Sequence, residues 1–281
     1  MGTGPLRQKP EPLISDGLRA LFAIAAGLEI LAGVSLYIFA DRTADWFAWT
    51  LEPPLTAAFL GAVYWATLGP VLYAVIDRRW VRARAAVPST LAFAVPLVFA
   101  TAAHLDRFHF AGPGVNARFA AWLWLAVYVA VPPALSILAY HQERTSTLPA
   151  RHDDLPAGIR GGLWLVSLTC LPIGVTLFTI PSATVALWPW SLTPLAARAV
   201  ASGLLGIGVG ALYGAVQNDR ERAILAFPSL AAFGVLQLLA SLRFAGDVEW
   251  SRLSAWLHVT FLVGLVAVGV LGMTARPRAE P

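Results

Sequence analysis

The stretch WPWSLTPL at residues 188–195 rewrites, with small changes, a phrase already present as WTLEPPL at residues 49–55. Both copies place tryptophan, a hydroxyl residue, leucine and proline in the same order, just ahead of an apolar run. Sliding the chain against itself by 141 positions sets Gly17 on Gly158, Arg19 on Arg160, Gly33 on Gly174, Trp49 on Trp190 and Pro53 on Pro194. Past the extra proline of the first copy the offset becomes 140. It then pairs Tyr73 with Tyr213, Arg82 with Arg222, Pro88-Ser89 with Pro228-Ser229 and Phe93 with Phe233. Further on, AWLW from Ala121 answers AWLH from Ala255. Shared apolar composition does not align tryptophans, Pro-Ser pairs and loop arginines in order, so the matches predict an internal repeat.

Composition says what is repeated. The 281 residues are 58% hydrophobic and 13% charged, with a mean hydropathy of +0.67. A soluble domain carries about 25% charged residues; half that leaves too little polar surface to cover a globule in water. About 20 apolar residues in a helix cross a hydrocarbon core of roughly 30 Å. Eight stretches qualify, at 18–39, 56–76, 85–105, 119–140, 159–180, 195–216, 223–243 and 253–273. Helix is the expected form because a backbone N–H in lipid needs a partner within its own segment. The expected fold is therefore an all-α integral membrane protein, its eight transmembrane helices forming two parallel four-helix repeats at 18–140 and 159–273. A cytoplasmic N-terminal segment (1–17), a linker (141–158) and a tail (274–281) complete the chain. The first apolar run is longer than a signal-peptide core and has a counterpart in the second half, so it is expected to be retained.

Orientation follows from the basic residues. Fourteen of the twenty fall on the side that carries both termini, including Arg7, Lys9, Arg78, Arg79, Arg82, Arg84, Arg276 and Arg278; six fall on the other. The positive-inside bias puts both termini in the cytoplasm. The arginine-rich usage and abundant Ala, Leu, Gly and Pro suggest a bacterial inner-membrane protein. The pI near 9.6 is explained by these loop arginines, so no nucleic-acid partner is expected. The lone Cys170 excludes an intramolecular disulfide.

Polar residues inside spans are the candidates for chemistry. Glu29 lies near the middle of the first span, where a carboxylate is costly and is usually paired or functional. Its neighbours Ala25, Ala26, Ala32 and Gly33 suggest a packed face, so Glu29 is expected to point into the bundle, either as a proton-coupling group in a polar cavity or as a protonated acid bonding a neighbouring helix. Its duplicate position is Cys170. Arg198 is read either as an arginine snorkelling to lipid headgroups or as the holder of an anion at the outer mouth; it shares a face with Ser202, Gly206, Gly210 and Gly214, a small-residue stripe that admits a neighbouring helix. Trp49, Trp188 and Trp190 belong to the interface, as belt residues or as lips over an outer cavity. The prolines that follow suit a helix start, with Thr50 or Ser191 as caps. HLDRFHF at 104–110 offers His104, Asp106 and His109 as a weakly patterned metal site, and His258 as a possible companion for haem. His141 and His152 are expected as solvated linker residues. Tyr64, Tyr73, Tyr213 and Gln237 are expected to hydrogen-bond between helices. No phosphate loop, dinucleotide-binding glycine pattern, zinc-protease motif or nucleophile elbow is visible, so no catalytic residue and no cofactor are assigned.

The stretches FAWTLEPPLTAAFLGAVYWA (47–66) and WPWSLTPLAARA (188–199) resemble those of bacterial polytopic membrane proteins of unassigned function. The resemblance implies the topology and no activity. Three functions fit the residues: transport or binding of a small or lipid-like solute between the repeats, a non-catalytic accessory or scaffold subunit that docks other membrane subunits, and a histidine-based metal or haem subunit. The lipid bilayer is a partner in all three.

Overall fold

A computed structural model describes residues 11–112, 114–151 and 153–275. Arg7 and Lys9 of the N-terminal segment, His152 of the linker, and Arg276 and Arg278 of the tail lie outside the described residues. Among the described residues, eight helices are long and apolar enough to cross a membrane, and extended pairing is confined to the isolated bridges Leu13–Arg79 and Trp49–Phe108. The chain is an all-α, multi-pass membrane protein.

The helices are α1 (Asp16–Gly33), α2 (Pro54–Asp77), α3 (Ala86–Ala102), α4 (Val115–Thr145), α5 (Ala157–Thr179), α6 (Pro194–Gln217), α7 (Ala226–Arg243) and α8 (Leu253–Thr274). A π-helical turn, Val34–Ile38, prolongs α1, and short turns Trp80–Ala83 and Arg220–Ala223 lead into α3 and α7. Proline starts both α2 and α6, where its missing N–H costs nothing. The caps differ from the expected Thr50 and Ser191: Thr193 Oγ1 caps α6 through Ala196 N at 3.2 Å, and Asp247, from the other half, accepts from Leu55 N at 3.1 Å. Helix α4 runs past residue 140 to Thr145. Its 31 residues reach about 46 Å at 1.5 Å each, so its last turns stand clear of the hydrocarbon, and exposed His141 is helical rather than part of the linker.

Corresponding positions adopt corresponding structure. Helices α2 and α6 both end on a left-handed residue, Arg78 at φ 61° and Asn218 at φ 44°. Arg19 Nε donates to Val75 O at 3.2 Å, and Arg160 Nε donates to Ala215 O at 3.0 Å. Gly33 lets the Trp65 indole lie against α1, and Gly174 lets Leu205 lie against α5. A Cβ at Gly33 would collide with the indole, and one at Gly174 would press on Leu205 closely enough that it must shift, so a glycine suits each approach of these helices.

Helix α1 packs on α2 as α5 packs on α6, and α3 packs on α4 as α7 packs on α8. The centre is made by exchange: α3 of the first half packs on α6 of the second, and α7 of the second packs on α2 of the first. The glycine stripe of α6 serves this crossing, with Gly206 against Phe93 and Gly210 against Ser89. Helices α2 and α6 are the most enclosed, whereas α1, α4, α5 and α8 carry exposed apolar side chains such as Leu31, Phe119, Leu168 and Val263. In water such rows would be a liability; facing lipid they are expected.

Candidate functional site

The exchange leaves a cleft of about 110 Å³ where α2, α3, α6 and α7 meet, with Glu29 reaching in from α1. Its lining positions between 63 and 71 on α2, and between 85 and 93 around the start of α3, recur 140 residues later between 203 and 211 and between 225 and 233. Glu29 and Tyr64 alone lack a lining counterpart. Their duplicate positions hold Cys170 and Leu204, so the first-half wall is the polar one.

Glu29 Oε2 is buried and has no hydrogen-bond partner. Thr67 lies beside the carboxyl, but its hydroxyl donates to helix carbonyls, at 3.2 Å to Val63 O and 3.0 Å to Tyr64 O. Tyr64 and Tyr128 join through their hydroxyls, linking α2 to α4. The two cleft serines are occupied too: Ser89 Oγ bonds Gly206 O at 2.8 Å and Ser229 Oγ bonds Leu225 O at 3.3 Å; Thr90 also lines the cleft. Pro70 lacks the N–H that would bond the Ala66 carbonyl, and both residues line the cleft. Val63, Phe93, Ile207, Leu230 and Phe233 complete an apolar interior.

Beyond the cleft, at the end of the bundle that carries the described chain ends, an ion-pair cluster joins the two short turns. Arg82 pairs with Glu221 through two hydrogen bonds and also meets the Tyr73 hydroxyl. Arg79 lies 3.0 Å from Asp77 and 3.6 Å from Glu221. Burial works against the Arg79 charge, but the hydrogen bond to Asp77 and the Asp77 and Glu221 charges outweigh it and raise its pKa above the ordinary value.

At the opposite end the repeated phrases face each other across an open groove of about 600 Å³ lined by Thr50, Leu51, Glu52, Ser191, Leu192 and Thr193. The tryptophans are not its lips. Trp49 is 2% exposed, Trp188 9% and Trp190 0%, and they turn into two matched aromatic triads. Phe47, Trp49 and Trp124 form one, with Trp49–Trp124 centroids 4.8 Å apart; Trp188, Trp190 and His258 form the other, with Trp190–His258 at 5.3 Å. Edge-to-face packing of rings this close is stabilising, so these residues serve as corner plugs. Trp190 Nε1 donates to Thr56 Oγ1 at 3.0 Å, whereas Trp49 Nε1 has no partner.

Arg198 and His104, read separately from the sequence, come together. His104 Nδ1 lies 3.0 Å from Ala100 O and Nε2 lies 3.2 Å from Arg198 Nη1. A neutral imidazole that donates from Nδ1 and accepts at Nε2 satisfies both contacts. Its free lone pair then faces a guanidinium, a poor place for a metal ion. Asp106 pairs with Arg107 at 3.1 Å, and His109 is held by Phe47 O at 3.0 Å and Thr50 Oγ1 at 3.1 Å. The three proposed metal ligands thus hold different partners, and among the described residues no cluster of three His, Cys, Asp or Glu forms. His258 Nε2 is buried without a partner, with the Trp188 and Trp190 rings against the imidazole. Gln237 is fully buried with both amide atoms unpaired, so the expected interhelical bond is not made there.

Sequence reading singled out Glu29 but missed Tyr64's place in its cleft, Tyr128, the two serines and the Arg82–Glu221 contact. The constant offset was the available signal: once α2 and α3 are aligned with α6 and α7, the matched small and hydroxyl positions fall on one face.

No family model, curated protein or solved structure matches the chain.

Proposed function

We propose that this protein binds a small or lipid-like solute in the central cleft and carries it across a bacterial cytoplasmic membrane, with Glu29 as the group that takes up and releases a proton. The observation that carries this is a cleft at the crossing of the two halves, lined at matched positions and containing one buried, unpartnered carboxyl oxygen. A packed scaffold has no use for an uncompensated carboxyl at that depth, because each unsatisfied buried group costs free energy. The two halves act as parallel repeats related by a pseudo-two-fold near the membrane normal, an arrangement that suits transporters because one half can move against the other around a shared site. The distribution of arginines orients both termini to the cytoplasm, which puts the Arg82–Glu221 cluster on the inner side of the cleft and the groove between the phrases on the outer side.

Cysteine accessibility tests the cleft. Cys170 is the chain's one cysteine; with Cys170→Ser as background, single cysteines replace Ser89 and Ser229. Both are expected to react in membranes with a water-soluble thiosulfonate, far faster than a cysteine at Leu262, which is 0% exposed. If neither cleft position reacts from either side of the membrane, the interior is dry and the scaffold reading replaces this one.

A further inference from the structure

We infer that the cleft's ligand is a small lipophilic amine, bound as its ammonium ion against Glu29; this rests on the cleft being the ligand site. Among the described residues, Glu29 Oε2 is the one buried side-chain atom of the lining without a partner, and it is an acceptor. Pro70 removes the helical N–H that would bond the Ala66 carbonyl, and both residues line the cleft. Among the described residues no lysine, arginine or histidine lines the cleft, so the complementary charge and N–H groups have to arrive with the ligand. An ammonium ion supplies both, and a hydrogen bond between charged partners is roughly twice as strong as a neutral one.

The surrounding chemistry agrees. The Tyr64 and Phe93 rings stand edge to face, 5.4 Å apart, and Phe233 also lines the cleft. Aromatic faces attract a desolvated cation, and the aliphatic wall of Val63, Ile207 and Leu230 takes a hydrocarbon tail. The titratable groups near Glu29 are Tyr64 on α2 and Tyr128 on α4; the cleft residues of α3, α6 and α7 include none. One acid and no second charge select a monoamine. A dry cavity of about 150 Å³ holds benzene, so a cleft of about 110 Å³ suits a ligand of about four to six heavy atoms. The ammonium and a proton compete for the same oxygen, which couples amine uptake to proton release.

Equilibrium dialysis of radiolabelled butylamine and 1-butanol against the purified protein in detergent, corrected with protein-free micelles, tests this. Saturable butylamine binding is expected in the wild type, at least about tenfold tighter than 1-butanol, with the preference abolished by Glu29→Gln. Glu29→Asp keeps the charge and should retain the preference at lower affinity, so a Glu29→Gln chain that fails to fold leaves the proposal testable. Equal binding of amine and alcohol, unaffected by either variant, overturns the amine while leaving a ligand cleft. Binding of neither compound, together with unreactive cysteines at positions 89 and 229, overturns both.

Discussion

Trp190 and Trp49 occupy the same place in the two phrases and in the two aromatic triads, yet their indole N–H groups differ. Trp190 Nε1 donates to Thr56 Oγ1 at 3.0 Å, both residues being 0% exposed; Trp49 Nε1 has no partner. Replacing either residue with phenylalanine removes a similar volume from a similar set of rings, so the packing losses nearly cancel in the comparison. What remains is the hydrogen bond. Trp190→Phe loses it and strands the Thr56 hydroxyl, a loss of about 1–2 kcal/mol, whereas Trp49→Phe removes a donor that was already unsatisfied. Trp190→Phe should therefore destabilise the protein by about 1–2 kcal/mol more than Trp49→Phe, which is roughly 5–30-fold in the unfolding constant. In a Thr56→Val background the gap should close, because no hydroxyl is left to strand. Equilibrium unfolding by SDS titration in mixed micelles, followed by helical circular dichroism, measures both differences. Equal losses for the two variants, or a gap that survives Thr56→Val, would refute the assignment of distinct roles to the paired tryptophans.

Two further outcomes follow from close contacts between helices. A Cβ at Gly269 would stand 2.6 Å from both Ala231 N and Phe227 O, whereas one at Gly264 would meet nothing within 4 Å. Gly269→Ala should force α8 off α7 and lower stability by about 2 kcal/mol or more; Gly264→Ala should be neutral or slightly stabilising. Matching melting temperatures for the two variants would contradict the packing. The Arg82–Glu221 pair joins the halves with side chains 14% and 43% exposed. A double-mutant cycle with Arg82→Gln and Glu221→Gln should give a coupling of about 1 kcal/mol that shrinks as salt is raised; additive losses would remove the pair as a link between the halves.

Glu29 was legible because a carboxylate in an apolar run stands out whatever it packs against. Arg198 and His104 were legible singly, but their meeting was not, since they lie 94 positions apart, His104 in the turn just past α3 and Arg198 on α6, and only the exchanged packing brings those two helices together. The interfacial tryptophans show the opposite failure. Composition places an indole near the membrane boundary but does not say which way it turns, and here matched partners on α4 and α8 draw the rings inward.

The amino-acid sequence by itself determined the number of spanning helices, their approximate bounds and the proline starts of α2 and α6, and it supplied the offset that sets one half against the other. Those features depend on the length of apolar runs, on the need to pair every backbone N–H in lipid, and on an offset read residue by residue. Tertiary structure alone decided that α3 crosses to α6 and α7 to α2, that the cleft opens at that crossing, and that the Glu29 oxygen there is left without a partner. The reason lies in the solvent. In water a helix advertises its buried face by polarity, but in a bilayer both faces are apolar. The choice of neighbour then falls to the fit of glycines such as Gly206 and Gly33 against the side chains opposite them.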